Sequence, residues 1–345
     1  LVGLAPLLLH DSPEDVALIG FGSGVTAGAI LQDRRVERLT VVELERAMIE
    51  ASAWFEDLNH RPLEDPRLDL VASDGRNLLA VTDDRYDVIV SEPSNPWIAG
   101  VGSLFTIEHF RTAAKRLKPG GLYMQWLQLY ETRPENVRSV LNTFRAVFPH
   151  LWVFSTKPAG VDLMLIGSQS PFRPDIRTLH KRWEDPTVAA EAARAELRWP
   201  WDLVSLLALT AEDVDRFAGD APLNTDDNAR LEFLAPMDLA RTDDDPWYID
   251  LYFRDLYARN IGEEIGGVPK ERGAERTLAL GELARGLVRQ GRFLQARRLM
   301  ETLPPGQAGE AARHARVVLD WFSSGPGTVP RSLGRGRSPA YKRMI

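Results

Sequence analysis

The chain has 345 residues, 44% hydrophobic and 26% charged, with a net charge of −7 and no cysteine. That length holds one large domain with a smaller companion, and the absence of cysteine excludes a disulfide framework, a thiolate metal site and a cysteine nucleophile. The negative balance argues against a general nucleic-acid binder and tolerates a cationic substrate.

Residues 1–9 (LVGLAPLLL) are apolar but short, contain Pro6 and lack the basic start of a signal peptide; no stretch reaches the roughly 20 apolar residues of a membrane span. A first residue that is Leu reads as a fragment or a processed product. Residues 16–20, 39–43, 68–72, 86–91 and 122–127 read as strands. Between them lie helical patterns at 47–58 and 107–117, the second closed by Lys118-Pro119-Gly120-Gly121. Short apolar strands alternating with helices predict βαβ units around a parallel sheet covered on both faces. Residues 151–155 and 161–167 are too close for a crossover helix and predict an antiparallel hairpin at the end of the sheet. Residues 172–218 read as mainly helical, interrupted at Trp199-Pro200-Trp201. Further on, Leu280, Leu283, Ala284, Leu287 and Val288 form a helical stripe. Gly291, Phe293 and Ala296 then give a step resembling one tetratricopeptide unit, though an ordinary helical hairpin reads equally well. The expected division is a domain at 1–240, a helical extension at 245–322 and a flexible basic tail at 323–345.

Three strand ends carry chemistry. Gly20-Phe21-Gly22-Ser23-Gly24 follows the first strand and opens a helix, where glycines let the backbone approach a ligand. Nicotinamide and S-adenosylmethionine enzymes share this turn, but the nicotinamide fingerprint wants a small residue where Val25 sits. Glu43 ends the second strand, about twenty residues on, where a carboxylate accepts both ribose hydroxyls. Asp74-Gly75 follows the third strand, as an acceptor for the adenine amino group or as a simple turn. After the fourth strand, Ser91-Glu92-Pro93-Ser94-Asn95-Pro96-Trp97 puts an acid, an amide and an indole between two stiffening prolines. The six histidines show no ligand spacing, so no metal is expected.

The runs ALIGFGSG, VVELE, DPRLDLVASDGRNLL, YDVIVSEPSNPW, SLFTIEHFRTAAKRLKPGGLYMQW and PLNTDDNARLEF resemble the spermidine/spermine synthase family of aminopropyltransferases. The resemblance is nearest to the bacterial branch often fused to membrane segments, and it covers residues 1–170 with the NTDDN block as an outlier. It implies an α/β, Rossmann-like methyltransferase-type sheet, mostly parallel with a terminal antiparallel hairpin. It also implies decarboxylated S-adenosylmethionine as co-substrate, whose propyl carbon beside the sulfonium is attacked by a small primary amine. Gly20, Gly22, Ser23 and Gly24 would then cradle the nucleoside, with Glu43 on its ribose and Asp74-Gly75 at its adenine. Glu92 stands where the family's Asp holds and deprotonates the amine, because an alkylammonium near pKa 10 has no lone pair until it loses a proton. Asn95 occupies the place of the family's second Asp. Trp97 would wall the pocket or simply pack, and Gln125 matches a family glutamine near the substrate, though a hydrogen bond to backbone would serve equally.

Departures fall on the amine side. Ser23 replaces the acid of the family's Gly-Gly-Gly-Asp-Gly loop, and Phe21 replaces a glycine. The family's amino-terminal region, with its substrate-binding tyrosine and glutamine, has no counterpart in this chain. The segment STKPAGVDLML shows no tyrosine after the sixth strand. Two other readings stay open, a methyltransferase using intact S-adenosylmethionine on a small amine or acid, and a non-catalytic nucleoside-binding module. The partners expected are a small amine and no nucleic acid, with room for a homodimer and for a membrane segment outside this chain. The expected location is cytoplasmic, with a parent protein that could be membrane-anchored.

Overall fold

The computed structural model describes residues 1–156, 162–240, 261–304 and 309–324. The chain divides by its internal contacts into Leu1–Gly267 and Val268–Ile345. In the first unit the strands are β1 Asp15–Ile19, β2 Arg38–Glu43, β3 Leu68–Ala72, β4 Tyr86–Ser91, β5 Leu117–Gln128, β6 His150–Ser155, β7 Asp162–Ser168 and β8 Leu207–Thr210. Its helices are α1 Leu4–Leu9, α2 Val25–Leu31, α3 Arg46–Ala51, α4 Glu56–Asn59, α5 Gly75–Val81, α6 Ile107–Lys115, α7 Pro134–Arg145, α8 Ile176–Trp183, α9 Pro186–Arg194, α10 Pro200–Ser205, α11 Ala211–Ala218, α12 Arg230–Leu239 and α13 Ile261–Glu264.

The sheet order is β3-β2-β1-β4-β5-β7-β6-β8. From β3 to β5 every pairing is parallel, and β5–β7, β6–β7 and β6–β8 are antiparallel. This is the expected α/β sheet, parallel in its first half and closed by the β6–β7 hairpin. Both faces are buried, which is why β1 and β4 carry the consecutive apolar residues 16–19 and 88–90. Ala17, Ile19, Ile89, Tyr123, Leu127, Leu163 and Leu165 join one core cluster, and the alternating Val16, Leu18, Val88, Val90, Met124, Met164 and Ile166 are buried on the opposite face. β1 pairs β2 on one side and β4 on the other, so chain order reverses there and a crevice opens at the carboxyl ends of the two strands. Because β7 runs against β5, its first residue, Asp162, lies at that same edge.

Three local readings change. The helix expected over 47–58 is broken into α3, a 3-10 turn at Ser52–Phe55 and α4, because Asn59 is drawn inward. Its Nδ2 donates to the Ser23 and Ser52 carbonyls at 2.9 and 3.0 Å, and His60 and Arg61 then turn left-handed at φ 58° and 51°. β5 starts at Leu117, so the Lys118–Gly121 segment belongs to the strand rather than to a helix-closing loop. β8 was hidden in a helical reading of 172–218, since the apolar run Leu206–Leu209 carries no turn residue to mark a strand. The turn of the β6–β7 hairpin and the tail beyond residue 324 lie outside the described residues.

The second unit contains α14 Ala274–Arg289, α15 Phe293–Glu301 and α16 Gly309–Ser324. The stripe Leu280, Leu283, Ala284, Leu287 and Val288 is buried there, and Gly291 turns α14 into α15 with φ 72°. Among the described residues no helix is long and apolar enough to cross a membrane.

Candidate active site

The turn after β1 is built on backbone that side chains resist. Gly20, Gly22 and Gly24 take φ of 94°, 52° and 76°. A Cβ on Gly20 would sit 2.4 Å from the carbonyl oxygen of Glu92, whereas one on Gly22 would meet nothing within 4 Å. The glycine turn thus rests on the loop after β4 on one side and opens to space on the other. Glu43 closes the turn from β2. Its Oε2 accepts from the N–H groups of Phe21 at 2.8 Å and Gly22 at 3.2 Å, and its Oε1 accepts from Glu45 N–H at 2.9 Å. The carboxylate therefore holds the glycine turn in shape, a role the sequence did not disclose. Each oxygen keeps further acceptor capacity for a ribose hydroxyl. Ser23 contributes its carbonyl to Asn59, and its side chain carries no charge.

Asp74 caps α5, with Oδ1 accepting from Asn77 N–H at 2.8 Å. Gly75 packs against β1, since a Cβ there would lie 2.5 Å from Ile19 Cγ2. Glu43 and Ala72 are paired across β2 and β3, which brings Glu43 and Asp74 to neighbouring strand ends. The NTDDN block proves to be a clasp. Asn224 is buried, and its Oδ1 accepts from Leu231 N–H at 3.0 Å while its N–H donates to Thr143 Oγ1 at 2.8 Å. Asp226 pairs with Arg76 of α5 through both guanidinium nitrogens, Nη1 to Oδ1 at 2.8 Å, and that bond holds its carboxyl below the ordinary range.

Glu92 extends the β4 ladder, its N–H donating to Ile19 O at 3.0 Å. Burial pushes its carboxyl above the ordinary value. A hydrogen bond from the Thr26 hydroxyl works against that rise, and the negative charge of Asp162 adds to it. Beyond Pro93, Asn95 and Trp97 are both engaged by Tyr130, which follows β5. The Tyr130 hydroxyl donates to Asn95 Oδ1 at 3.0 Å, and its ring meets Trp97 edge-on with centroids 5.8 Å apart. α12 anchors the rest of the loop, as Glu232 accepts from Gly100 and Gly102 N–H at 2.7 and 3.1 Å.

Gln125 is placed differently. It pairs with Ser91 across β4 and β5, and strand parity puts it on the face opposite Glu92. It is fully buried, its Oε1 accepting from the Tyr123 hydroxyl at 3.0 Å and its Nε2 donating to Trp126 O at 3.0 Å. Tyr123 in turn lies 3.1 Å from His109 Nε2. His109 is buried and its Nδ1 has no partner, and desolvation lowers the imidazole pKa to about 3. The network is satisfied when a neutral His109 donates to Tyr123, Tyr123 to Gln125, and Gln125 to backbone, which leaves only an acceptor nitrogen unpaired. So Gln125 makes the backbone hydrogen bond that the sequence allowed. The site thus unites Gly20, Gly22, Ser23, Gly24, Glu43, Asp74 and Gly75 at one stretch of the edge and Glu92, Asn95 and Trp97 beside it. Thr26, Tyr130 and Asp162 went unread in the sequence, although a polar first residue on the second strand of a hairpin was a visible signal. No group of three metal-ligating side chains exists among the described residues.

Residues 1–159 match the family model described as the spermine/spermidine synthase domain. The polyamine aminopropyltransferase of Thermococcus onnurineus is 35% identical over 118 residues, 34% of this chain and 42% of the relative. That of Bacillus subtilis is 30% identical over 173 residues, 49% and 62% of the two chains. The chain thus spans about half the length of these curated relatives. Among solved structures, spermidine synthase from Thermotoga maritima aligns with a TM-score of 0.44 at 24% identity, over 55% of this chain and 68% of the other. Human methyltransferase-like protein 13 in complex with SAH aligns at 0.43 and 20%, over 56% and 88%. The matched residues 1–159 include the glycine turn, Glu43, Asp74 and the Glu92 loop.

Proposed function

We propose that this protein transfers an aminopropyl group from decarboxylated S-adenosylmethionine to a small primary amine. The observation that carries the reading is the direct packing of the glycine turn on the acid-bearing loop, Gly20 against the Glu92 carbonyl. A nucleoside cradled by the turn then has its sulfonium arm beside a carboxylate. Curated relatives named polyamine aminopropyltransferases support the same reading.

Glu43 would accept from the ribose hydroxyls while still bracing the turn, and the free Oδ2 of Asp74 would accept from the adenine amino group. Glu92 would first pair with the incoming ammonium and then take its proton, freeing the lone pair that forms the new N–C bond as the C–S bond breaks. The positive charge of the sulfonium passes to the nitrogen, which becomes a secondary ammonium as the neutral thioether, methylthioadenosine, departs. Burial suits Glu92 to this task, because a carboxyl raised above its ordinary value takes a proton more readily than an exposed one. Prolines 93 and 96 fix its loop, so the acid is held in place before the amine arrives.

Ser23 favours a second reading, methyl transfer from intact S-adenosylmethionine, since its neutral hydroxyl offers no repulsion to a carboxylate. Product identity separates the two. The protein is incubated with each sulfonium compound and a panel of amines, and the nucleoside products are resolved by mass. Methylthioadenosine with an aminopropylated amine is the expected outcome, whereas S-adenosylhomocysteine from the intact compound would overturn the proposal.

A further inference from the structure

The Asp-x-Arg step at 74–76 behaves unlike similar steps elsewhere in the chain. At 33–35, Arg35 Nε donates to Asp33 Oδ1 at 2.9 Å, and at 65–67 Arg67 donates to both Asp65 oxygens at 3.0 and 2.8 Å. The step at 175–177 has the same place in a helix, since Asp175 caps α8 as Asp74 caps α5. There Arg177 Nη2 closes on Asp175 Oδ2 at 3.2 Å. Arg76 instead turns away from Asp74 and gives both terminal nitrogens to Asp226, while Nη1 also donates to Ser103 O at 3.1 Å and Thr106 Oγ1 at 3.4 Å. Among the described residues, the exposed step at 83–85 is the other that stays open.

We propose that Asp226 is a positioning residue for nucleoside recognition: it takes the Arg76 guanidinium and so leaves the Asp74 carboxylate open to the amino group of adenine. This role rests on the aminopropyl-transfer reading, in which Asp74 accepts from adenine, and falls to a residue that reading does not use.

The 224–230 segment holds Asp226 in place by bonds that do not involve Arg76. The Asp226 N–H donates to Glu108 Oε2 at 2.9 Å, and Asn228 Oδ1 accepts from Thr225 and Arg230 N–H at 3.0 and 3.1 Å. The buried Asn224 accepts from Ile107 N–H through its carbonyl at 2.9 Å. The guanidinium therefore meets a fixed two-oxygen acceptor that matches its fork. Asp74 is the competing acceptor. The hydrogen bonds to Asp226 hold the Arg76 guanidinium above its ordinary value, and the charges of Asp226, Glu108 and Asp74 add to the rise. Asp74 spends Oδ1 on Asn77 N–H, so a released guanidinium and an adenine amino group would contend for Oδ2. A guanidinium donor carries a full charge and the amino group does not, so the arginine wins that contest wherever it is free.

Calorimetry on the full chain tests this with two nucleosides, methylthioadenosine and methylthioinosine, which carries a carbonyl in place of the amino group. Wild type should bind the adenosine compound about 10- to 100-fold more tightly, the range of a hydrogen bond to a charged group. Asp226→Asn keeps shape and removes charge, and it should bring that ratio to within about threefold, whereas Asp226→Glu should retain most of it. Arg76→Gln removes the competitor. By itself it should lower the melting temperature, through the lost bonds to Ser103 and Thr106, yet keep the ratio. In the Asp226→Asn background it should restore the ratio. A clasp that serves stability alone gives the reverse: Arg76→Gln loses the ratio as Asp226→Asn does, or the double variant shows no recovery, and either result would overturn the proposal. Should Arg76→Gln fail to fold, the Asp226 variants decide, because a wild-type ratio in Asp226→Asn would overturn the proposal as well. A wild type that binds both nucleosides equally would overturn this inference and leave aminopropyl transfer standing. A wild type that binds neither would overturn the functional reading itself, and this inference with it.

Discussion

Replacing Gly20 by alanine tests whether the glycine turn and the acid loop form one mechanical unit. The added Cβ would lie 2.4 Å from the Glu92 carbonyl oxygen, well inside ordinary van der Waals contact, and the obstacle is backbone that cannot rotate away. Relief requires the two segments to part by on the order of 1 Å, and overpacking of that kind costs about 1–3 kcal/mol. The positive φ of 94° adds a conformational cost of about 1–2 kcal/mol for a residue with a Cβ. Together these come to roughly 2–5 kcal/mol. Gly22→Ala is the control: its φ of 52° carries the conformational cost alone, since nothing lies within 4 Å of its Cβ. Thermal unfolding should therefore place Gly20→Ala clearly below Gly22→Ala, by about 2–4 °C for each kcal/mol that separates them. Turnover should separate them further, because displacing Glu92 by about 1 Å costs on the order of 10²-fold. Equal melting temperatures and equal rates for the two variants would refute the reasoning.

Glu43→Ala should weaken methylthioadenosine by about 1.5–3 kcal/mol, the worth of hydrogen bonds to a charged group, and should also destabilise the unliganded protein, because the Phe21, Gly22 and Glu45 N–H groups lose their acceptor. Calorimetry and denaturation read the two effects separately. Glu92→Gln should leave that affinity intact and lower turnover by about 10²–10⁴. The same variant has a signature in stability. The Glu92 carboxyl is raised in the folded state, so the wild type loses stability as pH rises from the ordinary carboxyl range through the raised value, and glutamine removes that loss at neutral pH. His109 runs the opposite way. With a folded pKa of about 3, it stays neutral while the unfolded chain takes a proton below about 6.5. Stability therefore falls as pH drops through that window, by roughly 4–5 kcal/mol at its acid end. His109→Phe should flatten this slope in urea titrations, and an imidazole that titrates near 6.5 by NMR would contradict the buried network.

The sequence by itself determined the sheet and the strand ends that carry the glycine turn and its neighbouring acids. Apolar runs such as residues 88–90 mark strands buried on both faces, and a polar residue after the run marks the carboxyl edge. That is why Gly20, Glu43, Asp74 and Glu92 could be named from local pattern. What pattern could not supply was the state of each side chain there. Glu43 bracing its own glycine turn, Asp226 clasped by Arg76 and Gln125 spent on Tyr123 and backbone all depend on partners far apart in the chain. Strand polarity made the largest difference. Only the antiparallel pairing of β7 with β5 carries Asp162 to the edge where β4 delivers Glu92, and only the pleat puts Gln125 on the far side of the sheet from both. A hydrophobic period fixes which residues are buried, but the direction in which a strand enters the sheet decides which end meets the ligand.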